Sequence, residues 1–395
     1  MFTDSAAALT SRSLRLGILV ISAGVVLAVA AAGGSARPAS TAAAPLVQVT
    51  PTELRLAHPL AALAAERGRA AFAFCEQLVG LWRPGATGIT RLGPVAQWTC
   101  PPPRGLERTS SLALTGDRVS WSVQAGGNVV TNIVFLVVLG HPHVFTFAAD
   151  VSHCCRGLDP DPERMGNVYG DAGFIAFSSR VKCNDLGAPT CPAGTQPTIV
   201  SETVWRLRRP PFQATCVGKP GPCVQLATLN SVLQPLSVDS GRVALRRANG
   251  ALVVRKSSGG LVRLFPALAG LTRGAELMGD RLVVLVPGKV REFSLATGAQ
   301  LHIRPVPNVP SAGVCGLLPC PPTTLRLVDA SRGLVAYILS GKLHLLRLRD
   351  GVNRVVATAT DARFGDKGLF YAYTAPGAWP ARIRFVRWSA LPVQP

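Results

Sequence analysis

The sequence predicts an all-β repeat fold, and three observations carry that prediction. The first is a turn containing Gly followed by a short β-rich run, recurring along the chain. It appears as Gly68-Arg69 before Ala70–Phe74, Gly116-Asp117-Arg118 before Val119–Val123, Asp171-Ala172-Gly173 before Phe174–Phe177, and Asp239-Ser240-Gly241-Arg242 before Val243–Leu245. It continues as Gly279-Asp280-Arg281 before Leu282–Val286, Arg332-Gly333 before Leu334–Leu339, and Lys367-Gly368 before Leu369–Tyr373. Recurrence at tens of residues marks a repeat architecture. The second is the supply of Gly (39) and Pro (32), which turn-dense β proteins require. The third is period-two alternation, as in Lys-Leu-His-Leu-Leu-Arg-Leu at 342–348, which suits strands rather than helices.

In chain order, residues 12–36 read as a secretion signal. Arg12 and Arg15 are basic, Leu16 to Ala32 is uncharged and apolar, and Ala30 to Ala36 are small, as an A-x-A-type cleavage site requires. The apolar run approaches the roughly 18 residues of a membrane span, so an uncleaved signal anchor is the alternative. In either form the segment is expected as an N-terminal helix, through which alone the chain would meet a membrane. Residues 37–44 read as a flexible spacer, and 45–395 as the folded domain.

The clearest unit spans 234–266. Gln234–Val238, Arg242–Arg246, Ala251–Lys256 and Leu261–Phe265 are strands, separated by turns at 239–241, 248–250 and 257–260. Asn249-Gly250 is a strong hairpin signal. The plan repeats at 275–306 and at 325–358. Earlier units at 60–95, 108–150 and 166–209 are less regular, with insertions at 151–165, 181–197, 210–228 and 307–322. Four antiparallel strands per unit, none able to bury both faces alone, is the blade of a β-propeller. The recurring stretches predict seven four-stranded blades. The last unit has strands at Leu369–Tyr373 and Arg382–Trp388 but no room for a fourth. Leu46–Thr50 is expected to pair beside Arg382–Trp388 and close the ring.

These repeats resemble the secreted or periplasmic β-propellers of bacteria, the broad group spanning TolB-like, WD40-like and quinoprotein-like repeats. Phe293-Ser-Leu-Ala-Thr-Gly298-Ala-Gln-Leu is similar to the strand, Thr-Gly turn, strand segment of quinoprotein-like blades. The resemblance covers 46–390 as architecture. The Trp-docking motif of quinone-dependent dehydrogenases, the His-to-Trp-Asp pairing of WD40 blades and the Asp-bearing TolB signature are missing. No cofactor is therefore implied.

Ten cysteines fit an exported protein. Proximity pairs Cys183 with Cys191, Cys216 with Cys223 and Cys315 with Cys320, while Cys75 and Cys100 flank part of one unit. The adjacent Cys154 and Cys155 either form a vicinal ring or, as favoured, find separate partners. The net charge of +20 comes almost wholly from Arg, since all but six of the 41 basic residues are Arg. A GC-rich coding sequence accounts for this most simply. The functional alternative is attraction to an anionic envelope polymer. No nucleic-acid motif accompanies the charge.

Candidate chemistry is sparse. His141, His143, His153, Cys154 and Cys155 form the densest ligand-type cluster, but exported thiols are usually oxidised, so no metal is expected. Asp159, Asp161 and Glu163 fail the calcium-loop spacing, because Arg164 occupies the Gly position. Ser179-Arg-Val-Lys182 matches Ser-x-x-Lys without its partner motifs. Asp117, Asp239, Asp280 and Asp366 are expected to cap tight turns. Trp121, Trp205 and Trp388 are expected in the core. The reading is an exported propeller acting as a non-catalytic binding or scaffold module at the cell envelope, for a protein or an anionic polymer. The rivals are an envelope enzyme (lyase, hydrolase or quinone-dependent oxidoreductase) with its site over the central channel, and a membrane-anchored sensor. A clustered charged set at the channel would favour the enzyme.

Overall fold

The computed structural model describes residues 45–395 except 76–77, 94–99, 101–107, 127–128, 142–143, 154–166, 172–173, 184–189, 192, 194–198, 208–222, 230–232, 248 and 310–323. Six sheets are four-stranded and antiparallel. They span 60–92, 108–153, 169–229, 233–265, 274–305 and 325–358, and are named blades 1 to 6 in that order. The closing sheet has five strands, ordered Asp361–Gly365, Gly368–Thr374, Ala381–Arg387, Glu53–Leu56 and Val47–Val49.

The first strands touch in succession. Leu60–Glu66 lies against Arg108–Thr115, followed by Tyr169–Asp171, Leu233–Asp239, Gly274–Met278, Leu325–Ser331 and Asp361–Gly365, which returns to Leu60–Glu66. The circuit is a closed propeller ring around a central channel.

Each second strand is covered by neighbouring blades on both faces, so it reads as a continuous apolar run. Ala70 to Phe74 are fully buried, as are Leu282 to Val284 and Leu334 to Ala336. The core is consequently a set of layers between blades. Leu63, Phe72 and Trp82 of blade 1 pack with Leu54, Phe370 and Ile383 of the closing sheet. Val283 and Leu285 of blade 5 pack with Val335 and Tyr337 of blade 6. Outer strands are wetter: Gln300–Pro305 leaves Leu301 and Ile303 exposed. Several hairpins place two successive residues at positive φ, as at Ser240 (49°) and Gly241 (71°). That geometry follows the strand twist and favours Gly at the second position.

Arginines stitch blade to blade by donating to backbone carbonyls. Arg69 reaches Gly116, Arg206 reaches Ser257 (3.0 Å), Arg242 reaches Gly279 (2.8 Å) and Arg304 reaches Leu348 (2.7 Å). Arg326 reaches Thr360 (2.6 Å) and Arg332 reaches Asp366 (3.2 Å). Part of the Arg excess thus has a structural use that composition does not reveal.

The expectation of seven four-stranded blades is corrected, and the expected N-terminal helix falls outside the described residues. Six blades are four-stranded, the closing one is five-stranded, and no α-helix occurs among the described residues, which hold only the 3-10 turns Pro266–Leu268 and Trp388–Ala390. Residues 12–36 lie outside the described residues.

The closure is corrected as well. Glu53–Leu56, not Leu46–Thr50, pairs with Ala381–Arg387, and Val47–Val49 pairs outside it. Burial decides the order: Leu54 and Leu56 are fully buried, whereas Val47–Val49 stays at the rim. Cys223–Leu229, read as part of an insertion, is the fourth strand of blade 3, with Leu207 opposite Cys223. Val144–His153 likewise runs into the expected 151–165 insertion. Trp388 opens a 3-10 turn instead of ending a strand.

Candidate functional site

The central channel holds a cavity of about 840 Å³. Two tiers of side chains on the first strands build its wall. In the upper tier, the last residue of a first strand accepts a backbone N–H from the next blade. Glu66 accepts from Gly116 and Asp239 from Gly279, both through very short contacts. Asp171 accepts from Ser240, and the Met278 sulfur from Gly333 at 3.1 Å.

In the lower tier, Ser237 Oγ accepts from Leu277 N at 3.0 Å, and Asp329 accepts from Phe364 N at 2.6 Å and Ala330 N at 2.8 Å. Register shifts between Pro235 and Ser237 and between Leu327 and Asp329 re-aim these side chains. Arg363 donates to Val328 O at 2.8 Å and pairs with Asp361 at 3.2 Å.

Burial dominates the electrostatics of this wall. It pushes Asp171 up to about 8, helped by the hydrogen bond to Asp239 and the charge of that carboxylate. Glu276 also rises to about 8, through burial and then the Asp329 charge. Asp329 rises only to about 6, because Arg363 and two backbone amides oppose its burial. For Arg363, burial works against the charge, but Asp361, Asp329 and Glu276 outweigh it and raise its proton affinity. Burial raises Glu66 too. Near neutral pH the wall can therefore hold protons on Asp171 and Glu276 and donate hydrogen bonds from them.

The turn aspartates separate in role. Asp239 accepts both the Ser240 hydroxyl of its own turn at 3.0 Å and the Gly279 amide of the next blade, and Asp366 lines the channel. Asp280 is exposed, 3.8 Å from Arg281. Asp117 lies 4.0 Å from Arg118. Sequence reading missed Glu66, Asp171, Glu276, Asp329, Asp361 and Arg363. Their signal was positional: most close a first strand or stand two residues before its end.

His141 is exposed beside a cleft between blades 1 and 2. His153 ends a strand of blade 2, and His143, Cys154, Cys155, Asp159, Asp161 and Glu163 lie outside the described residues. Ser179 and Lys182 lie on the strand Phe174–Lys182, opposite Thr203 and Ile199. Trp121 is buried, Trp205 lies on Ile199–Leu207, and Trp388 stacks on Phe364 at 5.2 Å.

Cys75 is bridged to Cys100 (Cα–Cα 5.8 Å) and Cys183 to Cys191 (4.9 Å). Cys223 begins the fourth strand of blade 3, while Cys216, Cys315 and Cys320 lie outside the described residues. His58 approaches the Cys75–Cys100 sulfurs within 4.8 Å, but bridged sulfurs are not thiolate ligands, so the three do not make a metal site.

No family model matches the chain, and no curated protein matches it. Solved structures do resemble it. The computationally designed Ika8 protein is 11% identical, over 84% of this chain and 98% of that one, with a TM-score of 0.45. The WD40 β-propeller domain of Doa1 is 11% identical over 84% and 95%, with a TM-score of 0.47. YCF48, solved bound to a D1 peptide, is 11% identical over 87% and 99%, also at 0.47. Function does not transfer at such distances, and the ring stands on its own strand pairing.

Proposed function

We propose that this protein is a non-catalytic binding or scaffold propeller of the cell envelope, working outside the cytoplasm on a protein or anionic polymer partner. One observation carries the reading: the channel charges are engaged in holding blades together. Glu66, Asp171, Asp239 and Asp329 each accept a backbone N–H from the next blade, and Arg363 neutralises the lower tier. Groups committed to fixed backbone donors form a hub that sets the ring's shape. The two bridges, Cys75–Cys100 and Cys183–Cys191, support an oxidising compartment. N-terminal sequencing of the mature protein and thiol counting without reductant test the location. Export predicts cleavage within 30–36 and no titratable thiol at these four positions.

A second reading has its own support. Asp171 and Glu276, raised to about 8, are poised as acids near neutral pH, as an enzyme acting over the channel would need. Asp171→Asn and Glu276→Gln separate the two. The scaffold reading expects partner binding to persist and only the pH dependence of unfolding to change. If the wild type turns over a glycoside, ester or lyase substrate and either variant abolishes turnover, the enzyme reading replaces it.

A further inference from the structure

We propose that the cleft between blades 1 and 2 is a binding site for a small amphiphile with an anionic carboxylate head and an apolar body. The cleft is distinct from the channel, has a volume of about 800 Å³, and lies within the usual size of small-molecule sites. Arg69, Arg83, Arg91 and His141 line it, and no acidic residue does among the described residues. Leu81 and Leu139 belong to its apolar wall.

Arg69 is the half-buried member. One of its terminal nitrogens is committed to the Gly116 carbonyl, while its Nε–H is buried without a partner. Leaving a buried donor without an acceptor is costly, and an incoming acceptor recovers that cost. Burial lowers the proton affinity of Arg69 first; the Glu66 charge opposes it, and the smaller Arg83 and Arg67 charges lower it further. Glu66 and Asp117 pull the other way. Of these, Glu66 already accepts the Gly116 amide across the blade junction. Three guanidinium groups lining one cleft, one of them with an orphaned Nε–H, favour an anion, and guanidinium forks suit a carboxylate. The leucine wall requires the ligand to carry an apolar body as well. The inference stands on the cleft alone and does not rest on the scaffold reading.

The test uses the full mature chain and three probes: a fluorescent long-chain carboxylic acid, the alcohol of the same chain, and inorganic phosphate. The acid is expected to bind at least tenfold more tightly than either of the others, and more weakly as salt rises. Arg83→Glu and Arg91→Glu carry exposed side chains, so both variants should fold, as an unchanged Tm would verify. Each is expected to weaken the acid at least tenfold and to leave the alcohol unchanged. Arg69→Lys, which keeps the charge but loses the fork, should weaken the acid less than Arg69→Ala. Equal binding of acid and alcohol, phosphate binding as tight as the acid, or acid affinity unmoved by both glutamate variants would overturn the proposal. So would an absence of acid binding up to millimolar concentration.

Discussion

The Tyr373 hydroxyl donates to Glu53 Oε2 at 2.7 Å, joining residues 320 positions apart. Glu53 is also held by Arg55 at 2.7 Å, with Arg382 and Arg384 farther out at 3.9 and 4.0 Å. Partial burial would raise the proton affinity of this carboxyl. The hydrogen bonds from Tyr373 and Arg55 outweigh it and hold Glu53 below the usual carboxylate range. The two ends of the described ring thus meet in one sheet through a charged knot beside the buried Leu54 and Leu56.

Removing residues 45–50 should therefore do little, because Val47–Val49 is the rim strand. Removing 45–56 should lower Tm sharply and promote aggregation, since Ala381–Arg387 then becomes an open edge. Leu54→Ala alone should cost about 2–5 kcal/mol. Equal melting temperatures for the two deletions would show that the ring is closed by other contacts.

Much of this ring is legible in sequence and some of it is not. Ser240-Gly241 and Arg332-Gly333 announce their hairpins because turn geometry is local, set by two residues. Glu53–Leu56 escapes because its four residues carry too short an alternation to outrank the β-rich Leu46–Thr50. Only the burial of Leu54 and Leu56 against the last sheet selects them. The channel escapes for a different reason. Asp171 and Asp239, or Glu276, Asp329 and Arg363, come from separate blades, and nothing in their local sequence says that they meet.

Gly368 is fixed by crowding. A Cβ there would lie against the Val386 carbonyl oxygen and 2.9 Å from Arg387 Cα, both backbone atoms that cannot yield. Gly368→Ala should destabilise by more than the roughly 1 kcal/mol of a strained turn glycine. Gly279→Ala is the comparison, with φ of +61° but open space around it. Equal losses of Tm in the two variants would refute the steric account.

The two described bridges differ in the length of chain they close. Cys75–Cys100 spans a separation of 25 and Cys183–Cys191 a separation of 8. Chain-entropy arguments assign about 3.5 kcal/mol to the first and about 2.5 kcal/mol to the second. Paired Cys→Ser replacement should reproduce that order in chemical denaturation. The reverse order would mean that the shorter bridge holds structure beyond its own loop.

Arg363 is the cation of the channel's lower tier. Arg363→Met should strand Asp329, Asp361 and Glu276 and cost about 3–5 kcal/mol at pH 8. The same variant should lose much less at pH 5, where Asp329 and Glu276 can protonate. A loss that is independent of pH would show that Arg363 acts by packing and by its bond to Val328 O.

The channel acids also predict how the wild-type ring responds to pH. Asp171 and Glu276 sit at about 8 in the folded protein and near ~4 when unfolded. Between those values the folded state holds protons that the unfolded state has released. The stability they contribute is complete below pH ~4 and is lost as pH rises through 8, with a slope of about 1.4 kcal/mol per pH unit for each group. Glu53 works oppositely: its lowered value supplies stability above pH ~4 that disappears in acid. The denaturation midpoint should therefore peak in mildly acid solution and fall toward pH 8. Asp171→Asn and Glu276→Gln keep the shape of the protonated carboxyl without its charge, so each should flatten the fall and make the protein more stable than wild type at pH 8. A wild-type midpoint that is level or rising from pH 5 to 8 would mean that both carboxyls are ionised in the folded ring and compensated by Arg363.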